Sequence, residues 1–180
     1  MHGLVSLLDA SHYRLVEGLW QELERECGLS GVRLTPYAHF SWQIASDYPE
    51  PDTEDALRTI ANQTRPFKVV TDGLGIFSGP NPVVYIPIVR NQKLDQLHAR
   101  LWRHTQIGAS GLSLLYNPHK WMPHITLISG AETTGALLCG LELLAFRSFD
   151  WEIEVNNLSF VSQSGSRRGT LNYRHDFFHG

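Results

Sequence analysis

The sequence predicts one domain of mixed helices and strands, built from a duplicated unit whose two copies share a cleft. Helical and strand-like segments alternate along the chain, and two His-x-Ser/Thr triplets lie in strand-like segments. The order of segments around one triplet also repeats around the other. The chain has 180 residues, of which 42% are hydrophobic and 18% are charged, so it is long enough and apolar enough to bury a sizeable core. We therefore expect a single two-lobed domain over residues 1–180.

The first half of the chain alternates strand and helix patterns. Its first helix has an apolar stripe at i+4 spacing, formed by Leu15, Leu19, Leu23 and Cys27, and stops at Gly28. Pro87 predicts that its strand is an edge strand or a bulged one. The predicted strands are 2–8, 37–45, 67–71, 74–78 and 83–89, and the predicted helices are 9–27, 52–63 (capped by Asp52 or Thr53) and 91–104.

The second half repeats this order. After a short strand-like run at 112–115 and the second triplet, a helix is predicted at 133–146 and strands at 149–155, 158–162 and 170–178. His39 and His124 are 85 positions apart; the run at Leu74 starts 35 positions after the first, and the run at Leu158 starts 34 positions after the second. A pseudo-twofold axis between the copies, with lobes at about 30–90 and 112–180, would bring equivalent strands to one cleft.

The two triplets combine the residue types of an acid–base site. Successive strand side chains point to opposite faces, so His124 and Thr126 share one face, as do His39 and Ser41. An imidazole can give or take a proton near neutral pH, and a hydroxyl can hold an anionic oxygen. Such triplets are common singly, and it is their pairing that indicates a site.

These motifs resemble those of the two-histidine (2H) phosphoesterase superfamily, the group that includes the 2′-5′ RNA ligase-like proteins and the cyclic nucleotide phosphodiesterases. The family pattern His-x-Thr/Ser-x matches His39-Phe40-Ser41-Trp42 and His124-Ile125-Thr126-Leu127. Pro123 and the spacing of the motifs are similar too, as is the tail from Leu158 to Tyr173. Trp42 departs from the pattern, because the last position is usually aliphatic.

The resemblance implies an α+β fold: a two-lobed internal duplication with antiparallel sheets lining a central cleft and helices outside. It also implies metal-independent hydrolysis of a 2′,3′-cyclic phosphate or a 2′-5′ linkage in a nucleotide or RNA end, without a cofactor. His39 and His124 would transfer protons, and Ser41 and Thr126 would hold the phosphate. Further candidate contacts to phosphate or ribose are Lys120, Arg167, Arg168, Tyr173 and Arg174.

Two other functions remain open from the residues. The same cleft could bind a nucleotide or RNA end without turnover, with tryptophan and phenylalanine side chains stacking on bases. A metal-dependent hydrolase would need a ligand cluster, and the remaining histidines match no zinc motif.

Composition narrows the class of partner. A net charge of −3 argues against a surface that follows duplex nucleic acid, while a small anionic ligand or one RNA end is compatible with it. No apolar window is long enough to span a membrane, and the first ten residues do not resemble a signal peptide. We expect a cytoplasmic monomer in which Cys27 and Cys139 are reduced thiols.

Overall fold

The fold is mixed α+β, as predicted, with one large antiparallel sheet. The computed structural model describes residues 1–163, 165 and 168–178, apart from the side chains of Arg33 and Leu34. In this part of the chain the helices are α1 Ala10–Cys27, α2 Glu50–Asn62, α3 Gln92–Thr105 and α4 Thr134–Ala145. The strands are β1 His2–Leu7, β2 His39–Ala45, β3 Phe67–Val70, β4 Gly75–Phe77, β5 Val83–Pro87, β6 His124–Ile128, β7 Glu152–Val155, β8 Asn157–Ser162 and β9 Thr170–Asp176.

The strand order shows how the duplicated copies interlock. Seven strands form one sheet in the order β4-β5-β6-β2-β1-β8-β9, and β3 pairs with β7 in a second, two-stranded sheet. The chain order β-α-β-α-β-β occurs twice, as β1 to β4 and as β5 to β8, and β9 follows. Equivalent strands occupy equivalent places in the sheet. The last strand of each copy, however, pairs with the first strand of the other copy: β4 pairs with β5, and β8 pairs with β1. The lobe boundaries at 30–90 and 112–180 stay a prediction, since the sheet mixes strands from both segments.

The two triplet strands meet at the middle of the sheet. β2 and β6 are antiparallel and share one register pair, Phe40 with Ile125. Both of these side chains are buried in the main core, as are Trp42 and Leu127. α2 packs on β8 and β9, α3 on β2, and α1 on β6 and α4. The apolar residues within each triplet motif therefore face the core, and the histidine and hydroxyl residues face away from it.

Local chemistry explains most helix ends. Asp9 caps α1 by accepting from the backbone N–H groups of Ser11 and His12, and Gly28 ends the helix with φ 68°. The second helix begins at Glu50, earlier than predicted, because Pro51 is tolerated in a first turn.

Two sequence predictions about local structure are wrong. Residues 112–115 form no strand; a 3₁₀ turn at Leu114–Tyr116 takes their place. Leu15 points to solvent, and the buried face of α1 is formed by Val16, Leu19, Trp20 and Leu23. Of the two alternatives predicted for the strand of Pro87, the bulged strand is confirmed: β5 lies inside the sheet, its register shifts between Val84 and Tyr85, and Pro87 ends it.

The prediction of two reduced thiols is also wrong. Cys27 at the end of α1 and Cys139 in α4 form a disulfide with a Cα–Cα distance of 5.7 Å. No sequence signal indicates this bond, because the two cysteines are 112 positions apart and meet only when α1 packs beside α4.

No described helix combines the length and the apolar character needed to cross a bilayer.

Candidate active site

A cavity of about 710 Å³ lies at the seam between β2 and β6. Its lining includes both predicted histidines, His39 and His124, and both predicted hydroxyl residues, Ser41 and Thr126. Lys120 lines it as well. Five of the predicted site residues therefore share one cavity.

The two imidazoles are fixed in the same way. Nδ1 of His39 is hydrogen-bonded to the carbonyl oxygen of Tyr37, and Nδ1 of His124 to that of Met122 at 2.7 Å. A carbonyl oxygen can only accept, so each Nδ1 donates and must carry the proton. In the described residues no group is hydrogen-bonded to either Nε2. Each neutral ring therefore has an unprotonated Nε2 available to a ligand.

The surroundings of both rings favour the neutral form. Burial lowers the pKa of His39 below the ordinary value of 6.5; the bond to Tyr37 opposes this effect, and the charge of His124 adds to it. Burial likewise lowers the pKa of His124, and the bond to Met122 opposes it. The charge of His124 thus lies close enough to the His39 ring to lower its pKa.

The register of the seam sets the positions of the four side chains. Because Phe40 pairs with Ile125, one step in either direction places His39 opposite Thr126 and Ser41 opposite His124. The two histidines are thus diagonal neighbours, a relation in which residues on one face are typically about 7–8 Å apart. That spacing leaves room for a phosphate between two imidazoles, each with a hydroxyl across from it.

The rest of the cavity wall is mainly apolar. His124 contacts the ring of Phe77 edge-on, with centroids 5.0 Å apart, and Tyr85 stacks on Phe77 at 4.1 Å. Further apolar or aromatic lining residues are Trp20, Val32, Ile44, Leu115, Tyr116, Trp121 and Met122. Among the described side chains that line the cavity, only Lys120 is a lysine or arginine.

Tyr116 and Phe77 are cavity residues that the sequence did not reveal. Burial raises the pKa of Tyr116 to about 12, while a hydrogen bond with the Ser41 side chain opposes the shift. Tyr116 lies in a 3₁₀ turn, where no periodic pattern marks the direction of a side chain. Phe77 lies in β4, which was predicted as a strand. It reaches the cavity because β4 pairs with β5 of the second copy, a pairing that the sequence does not indicate.

The predicted tail contacts that the structure describes do not join the cavity. Tyr173 stacks on Phe160 in the core at 5.1 Å, and burial raises the pKa of its phenol. Arg168 is exposed and does not line the cavity, and Arg174 forms an ion pair with Asp176 at 2.7 Å. Arg167 lies outside the described residues.

Trp42, which departs from the usual motif, lies in the core. It is fully buried, stacks on Trp121 at 5.2 Å and donates its indole N–H to Ser6 Oγ at 2.8 Å. On the same side, His98 Nε2 donates to the Trp42 carbonyl oxygen at 2.9 Å. His98 is therefore a buried structural histidine, and burial lowers its pKa to about 4.

Comparison with known proteins places this chain in a family. The family model of the 2′-5′ RNA ligase superfamily matches residues 12–167, so the chain belongs to this superfamily of two-histidine phosphoesterases. No curated protein matches the chain significantly.

Solved structures share the fold at low sequence identity. LigT of Escherichia coli, solved with NADP+, is 18% identical with a TM-score of 0.60, over 99% of this chain and 97% of that one. The same protein with 3′-AMP is 17% identical with a TM-score of 0.57, over 99% and 98%. TT0787 of Thermus thermophilus is 16% identical with a TM-score of 0.64, over 98% of each chain. At these identities the likeness shows the fold alone.

Proposed function

We propose that the protein is a metal-independent phosphodiesterase that hydrolyses a 2′,3′-cyclic phosphate or a 2′-5′ linkage of a nucleotide or RNA end. The observation that carries this proposal is the matched pair of histidines. Both hold Nδ1 against a carbonyl oxygen two residues earlier, and both have Nε2 available at the same cavity. Family membership supports a phosphoesterase at the level of reaction class.

The proposed reaction uses the rings on opposite sides of phosphorus. One neutral imidazole takes a proton from water as the water oxygen bonds to phosphorus. The other, protonated, gives its proton to the ribose oxygen as the bond between that oxygen and phosphorus breaks. The product is a phosphomonoester, and each proton transfer typically contributes about 10² to 10⁴-fold. Ser41 and Thr126 donate hydrogen bonds to the non-bridging oxygens, where negative charge accumulates.

The cavity supports a ligand of nucleotide size. Its volume of about 710 Å³ lies within the usual range of about 300–1,000 Å³ for small-molecule sites. Structures of the Escherichia coli relative with NADP+ and 3′-AMP support a nucleotide as well. A monomeric state and a cytoplasmic location remain predictions; the Cys27–Cys139 bond weighs against the second, because cytosolic thiols are kept reduced.

The test is turnover of 2′,3′-cyclic nucleotides and 2′-5′ dinucleotides with a chelator present, with products identified by chromatography. We expect turnover by the wild type, and losses of about 10² to 10⁴-fold in His39→Ala and His124→Ala. His104→Ala is the matched control, because His104 is exposed on α3 and outside the cavity. Near-wild-type activity in both cavity variants would refute the proposal.

Two results would favour the other functions. Calorimetric binding of a nucleotide without any product would indicate a binding module. Loss of turnover with chelator would indicate a metal-dependent hydrolase.

A further inference from the structure

Two tryptophan indoles bind backbone carbonyls of the triplet strands at the seam. Trp121 Nε1 donates to the carbonyl oxygen of Ser41 at 2.9 Å, and Trp20 Nε1 donates to that of Thr126 at 3.1 Å. The residues that accept these bonds are the two hydroxyl residues of the triplets. β2 and β6 share only one register pair, so few backbone hydrogen bonds between them fix the direction of each strand. The bonds from the two indoles therefore add a second restraint on the backbone of the triplets.

The bonds are reciprocal between the duplicated copies. Trp20 lies in α1 of the first copy and binds the triplet of the second. Trp121 lies just before β6 in the second copy and binds the triplet of the first. From this exchange we infer that Trp20 and Trp121 are positioning residues, which orient the hydroxyls of Thr126 and Ser41, respectively, toward a bound phosphate. The inference rests on the proposed function.

Both indoles are held firmly enough to orient a strand. Trp121 is 1% exposed, and its ring stacks on His98 at 3.8 Å. On the same residue, Arg90 lies over the ring at 5.8 Å and donates to the backbone carbonyl oxygen at 3.1 Å. Trp20 is 3% exposed within the buried face of α1. Neither indole can turn without repacking the core around it.

The hydrogen bond acts on the hydroxyl through the backbone. A fixed carbonyl restrains rotation about the Cα–C bond of its own residue, and this rotation relates the peptide plane to the direction of the Cα–Cβ bond. A misplacement of about 1 Å in a positioned group can cost about 100-fold in rate. The hydroxyls stabilise charge that develops in the transition state, so a misdirected hydroxyl lowers kcat more than it raises KM.

The kinetic test uses Trp20→Phe and Trp121→Phe, which remove the N–H donor and keep an aromatic ring. We expect kcat to fall about 10 to 100-fold with KM changed by less than about threefold. Trp151→Phe is the matched control; Trp151 is partly buried beside Phe149 and outside the cavity, and its loss should leave kcat unchanged.

Double variants show whether each indole acts through its own hydroxyl residue. Trp20→Phe should cost little further kcat in a Thr126→Val background and its full effect in a Ser41→Ala background. Trp121→Phe should show the opposite pairing. Equal effects of one tryptophan variant in both backgrounds would overturn the inference. So would a Trp151→Phe variant in which kcat falls as much as in Trp20→Phe and Trp121→Phe for the same loss of thermal stability.

A spectroscopic test needs neither turnover nor a stable variant. In ¹⁵N-labelled wild-type protein, the indole N–H signals of Trp20 and Trp121 should exchange with solvent far more slowly than an exposed indole. Rapid exchange of both would overturn the inference. If the wild type hydrolyses no member of the panel, the proposed function fails while slow exchange still supports the two bonds, so the two failures are distinguishable.

Discussion

Removing the Cys27–Cys139 disulfide should lower stability substantially. The bond closes a loop across 112 positions, for which the loop-closure model gives about 5 kcal/mol of stabilisation through the unfolded chain. Native disulfides of this kind are typically worth about 2–5 kcal/mol, so we expect a loss of roughly 3–5 kcal/mol. Unfolding entropy near 2.1 cal/mol/K per residue, over 180 residues, converts this loss into a fall in Tm of roughly 8–13 °C.

The assay is thermal unfolding followed by circular dichroism, for the wild type with and without a reductant and for the double variant Cys27→Ser/Cys139→Ser. The variant should unfold at the Tm of the reduced wild type, and reductant should not move it further. Mass spectrometry after alkylation of the denatured protein counts free thiols in each sample. Two free thiols in the unreduced wild type, or a shift below about 2 °C on reduction, would refute the reasoning.

Two further predictions concern the cavity. The dependence of kcat/KM on pH reports the pKa values of the free enzyme, and its optimum should lie below pH 6.5. The proposed reaction needs one neutral and one protonated histidine, so the optimum lies between their two pKa values, and burial lowers both of them. Activity should thus fall as pH rises through 7 and again at low pH; an optimum above 7 would contradict this. Gly31→Ala should lower the free energy of unfolding by about 1–3 kcal/mol, because the new Cβ would lie 2.0 Å from the Ser129 carbonyl oxygen. In Gly18→Ala, where the Cβ meets open space on a helix, denaturant unfolding should show a gain of about 0.5–1 kcal/mol; equal effects in the two variants would contradict the steric argument.

The centre of the site could be predicted because a strand alternates its faces. Once His39 and His124 were placed in strands, their hydroxyl partners two residues later had to share the same face. The repeated order of elements then predicted that the two strands meet. The structure brings all four side chains to one cavity, while their chemical roles remain proposals.

Tyr173 shows where alternation fails. It pairs with Phe160 on the helix-covered face, whereas Leu171, two residues earlier in the same strand, pairs with Val161 and packs with the smaller cluster on the other face. A register shift between Phe160 and Val161 makes the difference. A one-residue bulge reverses the face of every side chain beyond it, and no local sequence signal placed one here.

Long-range packing explains the other wrong predictions. Cys27 and Cys139 lie in different copies, and only the contact between α1 and α4 brings them together. α4 packs closely at Gly140, where an added Cβ would lie 2.6 Å from Ile128 Cδ1 in β6 and 3.3 Å from Leu23 Cδ2 in α1. Sequence patterns report the buried face of a helix, and they do not report which helix covers it.

The seam between β2 and β6 reconciles two opposing demands. The proposed acid–base cleavage needs two imidazoles on opposite sides of phosphorus, and the diagonal relation of His39 and His124 is compatible with that requirement. Limited pairing between the strands leaves space for a ligand, but it also leaves fewer backbone bonds to fix the side chains. Ring N–H donors supply that orientation from outside the sheet, at the carbonyls of Ser41, Trp42 and Thr126. In Trp20→Phe and Trp121→Phe, kcat should therefore fall by a larger factor than in Trp151→Phe at an equal loss of Tm, which kinetics and thermal unfolding of the three variants measure.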